Sequence, residues 1–256
     1  WQANLIISLT INIYVAFVKI FDNFIDFSKK EINMYAVITG ASSGIGKSFS
    51  GLLAKEGYDL VLIARSGDVL KQIASGVKKE YGRESIVITA DLSKKNEVIR
   101  CFEELKDLDI DIFINNAGFG DLGRFSETDL KKELSMIKVN INAVHIFSKL
   151  MIKYFKRRGS GYILNVGSSA GILPAGPYMA TYYASKAYVV SLTKALAREL
   201  RAEKSKVYIG VLCPGPVDTN FNEVANVSFA LPGITPKYCA AYAYKKMKAK
   251  KMKAEK

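Results

Sequence analysis

A glycine-rich stretch near residue 40 restricts the possible folds more than any other feature of the sequence. Residues 35–38 form a short apolar run that predicts a buried strand, and it leads into Thr39-Gly40-Ala41-Ser42-Ser43-Gly44-Ile45-Gly46. Glycines between a strand and a helix let the backbone approach a phosphate, and the helix N-terminus offers that anion free N–H groups. A helix to about residue 56 and a second apolar run at 60–64 complete a βαβ unit of the dinucleotide-binding type.

The same alternation continues along the chain. Further strands are predicted at 86–90, 110–114, 162–166 and 207–212, separated by helices at 69–81, 97–108, 131–157 and 180–201. Six strands alternating with helices imply one α/β domain, residues 34–234, with a parallel sheet covered by helices on both faces. The expected architecture is a doubly wound Rossmann-type sheet in the order 3-2-1-4-5-6.

Charge and cysteine content exclude several functions. The net charge is +13, but eight lysines and one glutamate among residues 237–256 contribute +7 of it, so a nucleic-acid-binding face is not predicted. We therefore interpret residues 235–256 as a lysine-rich helical tail. The cysteines, Cys101, Cys213 and Cys239, lack metal-ligand spacing, and His145 is the single histidine, so we predict no metal site and a cytoplasmic protein.

The N-terminal 33 residues allow three interpretations. Residues 5–27 are largely apolar, but Lys19, Asp22 and Asp26 make them a poor membrane-spanning helix. The segment is a membrane-associating anchor, an amphipathic helix packed on the domain, or sequence that is not natively part of the protein. The last interpretation rests on Lys29-Lys30-Glu31, whose codons can spell a purine-rich ribosome-binding site upstream of Met34.

A tyrosine and a lysine four residues apart, Tyr182 and Lys186, lie on one face of the predicted helix at 180–201. A cation beside a phenol favours the phenolate, so we expect Lys186 to lower the Tyr182 pKa and make it useful for proton transfer near neutral pH. Tyr242/Lys246 and Tyr244/Lys248 share the spacing, but they fall in the lysine-rich tail.

These motifs together resemble the short-chain dehydrogenase/reductase family, in order and spacing, from Met34 to about Phe221. The matching residues are Thr39-Gly40-x-x-x-Gly44-x-Gly46, Asp91, Asn115-Asn116-Ala117-Gly118, Asn140, Ser168-Ser169, Tyr182-x-x-x-Lys186 and Pro214-Gly215-x-x-x-Thr219. The resemblance implies an oxidoreductase that transfers hydride between a nicotinamide dinucleotide and a carbonyl or alcohol. It implies that Tyr182 is the general acid/base, Lys186 holds the ribose hydroxyls, a serine binds the carbonyl oxygen, and Asn140 holds a water.

The serine of this set can be counted in two ways. Counting from the strand end, Asn165-Val166-Gly167, selects Ser168, whereas counting back from Tyr182 by the family interval selects Ser169. An extra residue in the loop Pro174-Ala175-Gly176-Pro177 would reconcile the two, and loops tolerate insertions better than strand ends do. We therefore predict Ser168, with Ser169 as the alternative.

The cofactor is predicted to be NADP(H) rather than NAD(H). The position where NAD-binding folds carry an acid reads Ala64-Arg65-Ser66, and arginine pairs well with a 2′-phosphate. Against this, Ser42-Ser43 lacks the basic residue that many NADP-dependent relatives carry. The cofactor-binding residues implied by the resemblance are Gly40, Ser42, Ser43, Gly44, Ile45, Gly46, Arg65, Ser66, Asp91, Leu92, Asn116, Ala117, Gly118, Tyr182, Lys186, Pro214, Gly215, Val217 and Thr219. Asn115 is instead expected to tie neighbouring strands together.

The resemblance also suggests how substrate and subunits are held. Residues 220–234 correspond to a substrate lid, and its apolar Phe221, Val224, Val227, Phe229 and Leu231 suggest a partly hydrophobic carbonyl substrate. Tyr178, Tyr183 and Tyr188 are candidates for the cleft, and His145 is expected to be structural. The family pairs through its two long helices, so we expect a homodimer or homotetramer, and its usual seventh strand is expected to be missing. Alternatives are a membrane-associated 3-oxoacyl or ketosteroid reductase, with membrane contact through residues 1–33, and a non-catalytic nucleotide-binding scaffold.

Overall fold

A computed structural model describes residues 34–219, 225 and 233–249. The chain divides into two units, Trp1–Asn33 and Met34–Lys256, and the described residues belong to the second. Three predictions therefore fall outside the described residues. They concern residues 1–33, most of the lid at 220–234 and the end of the lysine-rich tail.

Six parallel strands form the centre of the described unit, in the predicted order β3-β2-β1-β4-β5-β6. They are β1 (Tyr35–Thr39), β2 (Asp59–Ala64), β3 (Ser85–Thr89), β4 (Ile110–Asn115), β5 (Gly161–Val166) and β6 (Val207–Leu212). The helices are α1 (Gly44–Lys55), α2 (Gly67–Tyr81), α3 (Lys95–Leu105), α4 (Leu130–Ile137), α5 (Val144–Arg158), α6 (Ala180–Ala202) and α7 (Pro236–Lys248). The predicted alternation of strands and helices is thus confirmed.

Two hydrophobic layers, one on each face of the sheet, explain why the central strands are apolar along their whole length. Every residue of β2 and β4 is buried, as expected for parallel strands covered on both faces. Phe49 and Leu53 of α1 fill one layer, and Phe113, Phe147 and Phe155 fill the other. Full burial of one such side chain is worth about 1.5–3 kcal/mol, so these layers are the main source of stability.

The predicted helix at 131–157 is interrupted. Residues Lys138–Ala143 form a π-helical turn between α4 and α5. The fully buried side chain of Asn140 lies in this turn and hydrogen-bonds both backbone groups of Phe119, in the segment that follows β4. The apolar periodicity continues through the turn, so the sequence pattern does not reveal it.

Helix α7 gives a more detailed picture of residues 235–256, which the sequence predicts as a lysine-rich helical tail. The helix is real, with Thr235 Oγ1 accepting from Tyr238 N at 3.2 Å as its N-cap. However, Cys239, Ala240, Ala243 and Met247 are buried in the core layer that also contains Phe49 and Leu53 of α1. Lys237, Lys245 and Lys248 are exposed, so the lysine-rich composition conceals a helix with one face in the core.

The topology places the functional end of the molecule. The strand order changes direction between β1 and β4. Ligands of such sheets bind at the carboxyl ends of the strands beside this point. Across the described ranges, no helix combines the length and apolar character that a membrane span requires.

Candidate active site

The glycine-rich turn after β1 is shaped so that only glycine fits. Gly40 and Gly44 have positive φ angles of +65° and +53°, where other residues are strained. A Cβ added to Gly46 would lie 2.2 Å from the Gly40 carbonyl oxygen and 2.6 Å from Asn116 Nδ2. Ser43 is the N-cap of α1, yet its side chain makes no capping hydrogen bond. The turn therefore presents open backbone and a hydroxyl at the N-terminus of α1, which suits a pyrophosphate.

Hydrogen bonds between the turns after β1 and β4 fix this region. Thr39 Oγ1 accepts from Asn116 N at 2.9 Å and from Ala117 N at 3.0 Å. Asn116 Nδ2 donates to the carbonyl oxygens of Thr39 at 3.0 Å and Gly40 at 3.1 Å. The two turns thus hold each other at the carboxyl end of the sheet.

Four of the predicted cofactor-binding residues follow the ends of β2 and β3: Arg65, Ser66, Asp91 and Leu92. Burial raises the pKa of Asp91. Hydrogen bonds from the Ser93 side chain and from Ser93 N, which lies 3.0 Å from Asp91 Oδ1, lower it, and so do the charges of Lys94 and Arg65. The pKa of Asp91 is therefore below its ordinary value. Asp91 is therefore a carboxylate at neutral pH. Ser66 is the N-cap of α2, and its side chain also makes no capping hydrogen bond.

Tyr182, Lys186 and Ser168 meet at the other end of the site. All three are buried, the first two on α6 and Ser168 just after β5. Lys186 Nζ donates to the Val166 carbonyl oxygen at 2.9 Å and lies 5.9 Å from the centroid of the Tyr182 ring. Tyr182 hydrogen-bonds Ser168, whose hydroxyl also accepts from Ala170 N at 3.2 Å. Ser169 begins the short 3-10 turn Ser169–Gly171 and is less buried.

The expected lowering of the Tyr182 pKa is wrong for this structure. Burial raises the pKa of Tyr182 to about 12, and the hydrogen bond with Ser168 opposes this only in part. Burial also lowers the pKa of Lys186 to about 8, with Cys213 opposing the shift. The cause is desolvation, which disfavours the charged form of each buried side chain. At the distance between the two groups, the attraction between an ammonium and a phenolate is too weak to offset this cost.

Asn140 connects three elements around this pair. Its Oδ1 accepts from Phe119 N at 3.1 Å, and its Nδ2 donates to the Phe119 carbonyl oxygen at 2.9 Å and to Ser185 Oγ at 3.0 Å. Ser185 Oγ in turn donates to the Tyr182 carbonyl oxygen at 2.8 Å. A Cβ added to Gly118 would lie 3.0 Å from Asn140 Oδ1 and 3.3 Å from Lys186 Nζ, so a glycine permits this close approach.

One cavity of about 350 Å³ joins the two ends. Every predicted cofactor or catalytic residue lines it except Gly46 and Asn140, which lie behind its wall. The wall around the predicted general acid also contains residues that the sequence did not single out: Phe119, Ser135, Val139, Ala170 and Met179. Phe119 directly follows the Asn-Ala-Gly motif and Met179 precedes Tyr182 by three residues, so only proximity to a motif could have suggested them.

The other residues named from the sequence lie at different places in the structure. Tyr183 lines the cavity, whereas Tyr188 lies in another groove with its hydroxyl 2.7 Å from His145 Nδ1. Asn115 Nδ2 donates to Asn165 Oδ1 on the neighbouring strand at 2.8 Å, which confirms its predicted role between strands. The three cysteines are free, and no cluster that could hold a metal occurs within 34–219, 225 and 233–249.

The parallel sheet in this order, with a glycine-rich turn after its first strand, defines a Rossmann-type dinucleotide-binding protein. A family model described as short chain dehydrogenase matches residues 34–228. The chain belongs to this family of oxidoreductases.

Similar proteins agree with this assignment. Human 17-beta-hydroxysteroid dehydrogenase type 3 is 36% identical over 201 residues, covering 78% of this chain and 64% of that protein. The very-long-chain 3-oxoacyl-CoA reductase of Anas platyrhynchos is 33% identical over 206 residues, covering 78% of this chain and 65% of the relative. The chain thus matches slightly less than two thirds of the length of either relative.

Solved structures show the same fold. A short-chain dehydrogenase from Sphingobium yanoikuyae in complex with NADPH has a TM-score of 0.80 at 28% identity, with 86% of each chain covered. A family member from Burkholderia phymatum in complex with NAD has a TM-score of 0.77 at 25% identity, covering 86% of this chain and 87% of that one. Relatives of both cofactor types therefore share the fold.

Proposed function

We propose that this protein is an NADP(H)-dependent oxidoreductase that interconverts a carbonyl and an alcohol, with Tyr182 as general acid/base. The observation that carries the proposal is the single cavity that joins the glycine-rich turn to Tyr182, Ser168 and Lys186. A bound nicotinamide dinucleotide supplies the hydride chemistry. The close-fitting glycines and the uncapped helix N-terminus at Ser43 suit its pyrophosphate.

The side chains of this site are suited to proton transfer to a carbonyl oxygen. Ser168 and Tyr182 are hydrogen-bonded to each other, so both hydroxyls can reach one substrate oxygen and stabilise the negative charge that develops there. Because burial raises the pKa of Tyr182 to about 12, the phenol is protonated at neutral pH and acts as the acid in reduction. Lys186 holds the ribose hydroxyls and a positive charge near the phenol, and Asn140 orders the turn beside them.

Preference for NADP(H) is proposed from the end of β2. Arg65 and Ser66 line the cavity, and the Ser66 hydroxyl is not used to cap α2. A guanidinium and a hydroxyl at a helix N-terminus are good partners for a 2′-phosphate. Arg65→Ala should therefore raise the KM for NADPH much more than the KM for NADH in steady-state kinetics, and equal changes would contradict the preference.

The substrate is proposed to carry its carbonyl on a hydrophobic body. Phe119, Ala170, Met179 and Tyr183 form an apolar wall beside Tyr182, with Met136 packed behind it. The relatives named above are called a hydroxysteroid dehydrogenase and a very-long-chain 3-oxoacyl-CoA reductase, whose names denote hydrophobic substrates. This supports a 3-oxoacyl or ketosteroid reductase as the more specific candidate.

The test is NADPH consumption with a panel of ketones, 3-oxoacyl thioesters and ketosteroids. Tyr182→Phe should abolish turnover, because it removes the proton donor while keeping the ring. Tyr183→Phe is the matched control, since it alters the neighbouring phenol on the same wall and should retain most of the activity. Binding of NADPH without turnover of any carbonyl would instead favour a nucleotide-binding scaffold.

Membrane contact, location and assembly are separate proposals. If residues 1–33 are an anchor, their removal should abolish membrane association. If the protein is cytoplasmic, their removal should leave its distribution between fractions unchanged, and cell fractionation distinguishes the two outcomes. Pairing through α5 and α6 into a homodimer or homotetramer is the arrangement that the family resemblance implies. Light scattering after size-exclusion chromatography measures the assembly directly.

A further inference from the structure

Ser135 on α4 carries a hydroxyl that the proposed chemistry does not use. The residue lines the cavity and is half-buried. Within residues 34–219, 225 and 233–249 its hydroxyl makes no hydrogen bond, whereas Ser50 and Thr193 on other helices donate to the carbonyl oxygen four residues earlier. The Ser135 hydroxyl is therefore available to a molecule that enters the cavity.

The surroundings of Ser135 place it at the same end of the cavity as the predicted general acid. Helix α4 packs against α6, the helix that carries Tyr182. Met136, the residue after Ser135, belongs to the apolar cluster that contains Tyr182 and Met179. Val139, four residues after Ser135 and so on the same helical face, also lines the cavity. The free hydroxyl therefore belongs to the substrate end of the cavity.

A free hydroxyl in this wall makes the cavity selective. The side chains of Phe119, Val139 and Met179 line the same end and are apolar. A substrate that fills this space displaces water from the Ser135 hydroxyl, and a hydroxyl left without a partner weakens binding by about tenfold. Sites built in this way discriminate against ligands that cannot form the hydrogen bond. Ser135 should therefore disfavour a substrate that is hydrocarbon at this point and favour one that has an oxygen there.

We propose that Ser135 donates a hydrogen bond to a second oxygen of the substrate and thereby selects 3-oxoacyl esters and thioesters over simple ketones. In these compounds the ester carbonyl lies two carbons from the ketone, a short spacing that suits a hydroxyl at the same end of the cavity as Tyr182. A ketosteroid whose second oxygen lies at the other end of the ring system offers no acceptor there. This assignment rests on the proposed function, because it requires a ketone at Tyr182.

Two matched ketones test this selectivity in the full-length chain. Ethyl 3-oxohexanoate and 4-nonanone have chains of equal length with the ketone at the same position, and only the first has an ester. Ser135→Ala should lower kcat/KM for the ester by about tenfold, because it removes the hydrogen bond, and should raise kcat/KM for 4-nonanone, because it removes an unpaired hydroxyl. Ser135→Thr keeps a hydroxyl and should keep the preference for the ester. The KM for NADPH should be the same in all three proteins.

Two other hydroxyls at this end of the cavity provide the comparison variants. Ser169 and Tyr183 also line it, so Ser169→Ala and Tyr183→Phe each remove one hydroxyl beside the same substrates. Each variant should change kcat/KM for the ester and for 4-nonanone by the same factor. A loss confined to the ester in either of them, rather than in Ser135→Ala, would overturn the proposal. An equal loss for both ketones in Ser135→Ala would show that Ser135 only shapes the wall, and the proposal would again be wrong.

A binding measurement separates this subsite from the proposed function. Isothermal titration calorimetry with NADP+-saturated protein measures the affinity for each ketone without turnover. Tighter binding of the ester that Ser135→Ala abolishes, in a protein that consumes no NADPH, would disprove the oxidoreductase proposal and leave the subsite intact. Turnover of both ketones with the same ratio of kcat/KM values in the wild type and Ser135→Ala would do the reverse. Binding of neither ketone would disprove both.

Discussion

At the scale of single residues, burial acts on Tyr182 and Lys186 in opposite directions. The pKa of the phenol is raised to about 12 and that of the ammonium is lowered to about 8, so each neutral form is favoured by its surroundings. For Lys186 the ordinary value is 10.5. Between about pH 8 and 10.5 the unfolded chain therefore binds more protons at this residue than the folded chain does, and folding stability must rise with pH in this window.

This pH dependence can be measured as a difference between two proteins. Relative to Lys186→Met, the wild type should gain on the order of 3 kcal/mol of unfolding free energy between pH 8 and 10.5, since the penalty for burying the charge disappears. Urea denaturation at several pH values gives both curves, and taking the difference removes other titrating groups, such as Cys101 and Cys239, common to both. A constant difference across the window would mean that the Lys186 pKa is not lowered.

The choice between two adjacent serines is also a single-residue question. Ser168 hydrogen-bonds Tyr182, whereas Ser169 begins the turn behind it and its backbone N donates to the Pro214 carbonyl oxygen at 2.8 Å. Ser168→Ala should lower kcat by about 10²-fold, comparable to the loss of one donor from an oxyanion site. Ser169→Ala keeps the backbone bond and should lower kcat by less than tenfold. If Ser169→Ala is the inactive variant, the assignment of Ser168 is wrong.

At the scale of secondary-structure elements, the π-helical turn at Lys138–Ala143 positions several parts of the site at once. Asn140 satisfies both backbone groups of Phe119 and contacts Ser185 one residue before Lys186. Asn140→Ala would remove all three hydrogen bonds, which costs about 3 kcal/mol in total. Asn142 is exposed in the same turn, so Asn142→Ala should change stability by less than about 0.5 kcal/mol. Denaturant titration compares them, and equal losses would contradict the role of Asn140.

The strands and the strand order could be predicted because each depends on local information. Apolar runs such as 60–64 and the turn at Gly40 mark their own positions, and chain connectivity then fixes the order. The interruption of the helix at Asn140 could not be predicted, since its cause is a contact with Phe119, 21 residues away. The raised pKa of Tyr182 was missed for a similar reason. Its burial depends on Met136, Ala170 and Met179, which come from three separate segments.

At the scale of the whole molecule, α7 connects the C-terminal part of the chain to the sheet. Its composition, which lysines dominate, predicts only a lysine-rich helical tail. Its small residues Ala240 and Ala243 nevertheless let it pack in the core layer of α1, the helix whose N-terminus faces the predicted pyrophosphate position. The stability of α7 should therefore affect the predicted cofactor-binding turn at the N-terminus of α1.

The last turn of α7 offers a direct test of this connection. Lys248 Nζ lies 4.4 Å from the centroid of the Tyr162 ring, 3.7 Å from Asp111 Oδ2 and 3.3 Å from Tyr58 Oη, so one cation contacts three parts of the sheet layer. Lys248→Ala should lower the unfolding free energy by about 1 kcal/mol, a value limited by the partial exposure of the ammonium.

Lys246 provides the matched control for that substitution. It lies two residues earlier on the same helix. Among the described residues its Nζ contacts only an exposed ring, that of Tyr242, at 5.4 Å from the centroid. Lys246→Ala should therefore change stability by less than about 0.5 kcal/mol, although it removes the same charge. Thermal and urea denaturation of the two variants separate the specific contacts of Lys248 from a general effect of charge. Similar losses in both would mean that α7 is held by its apolar face alone.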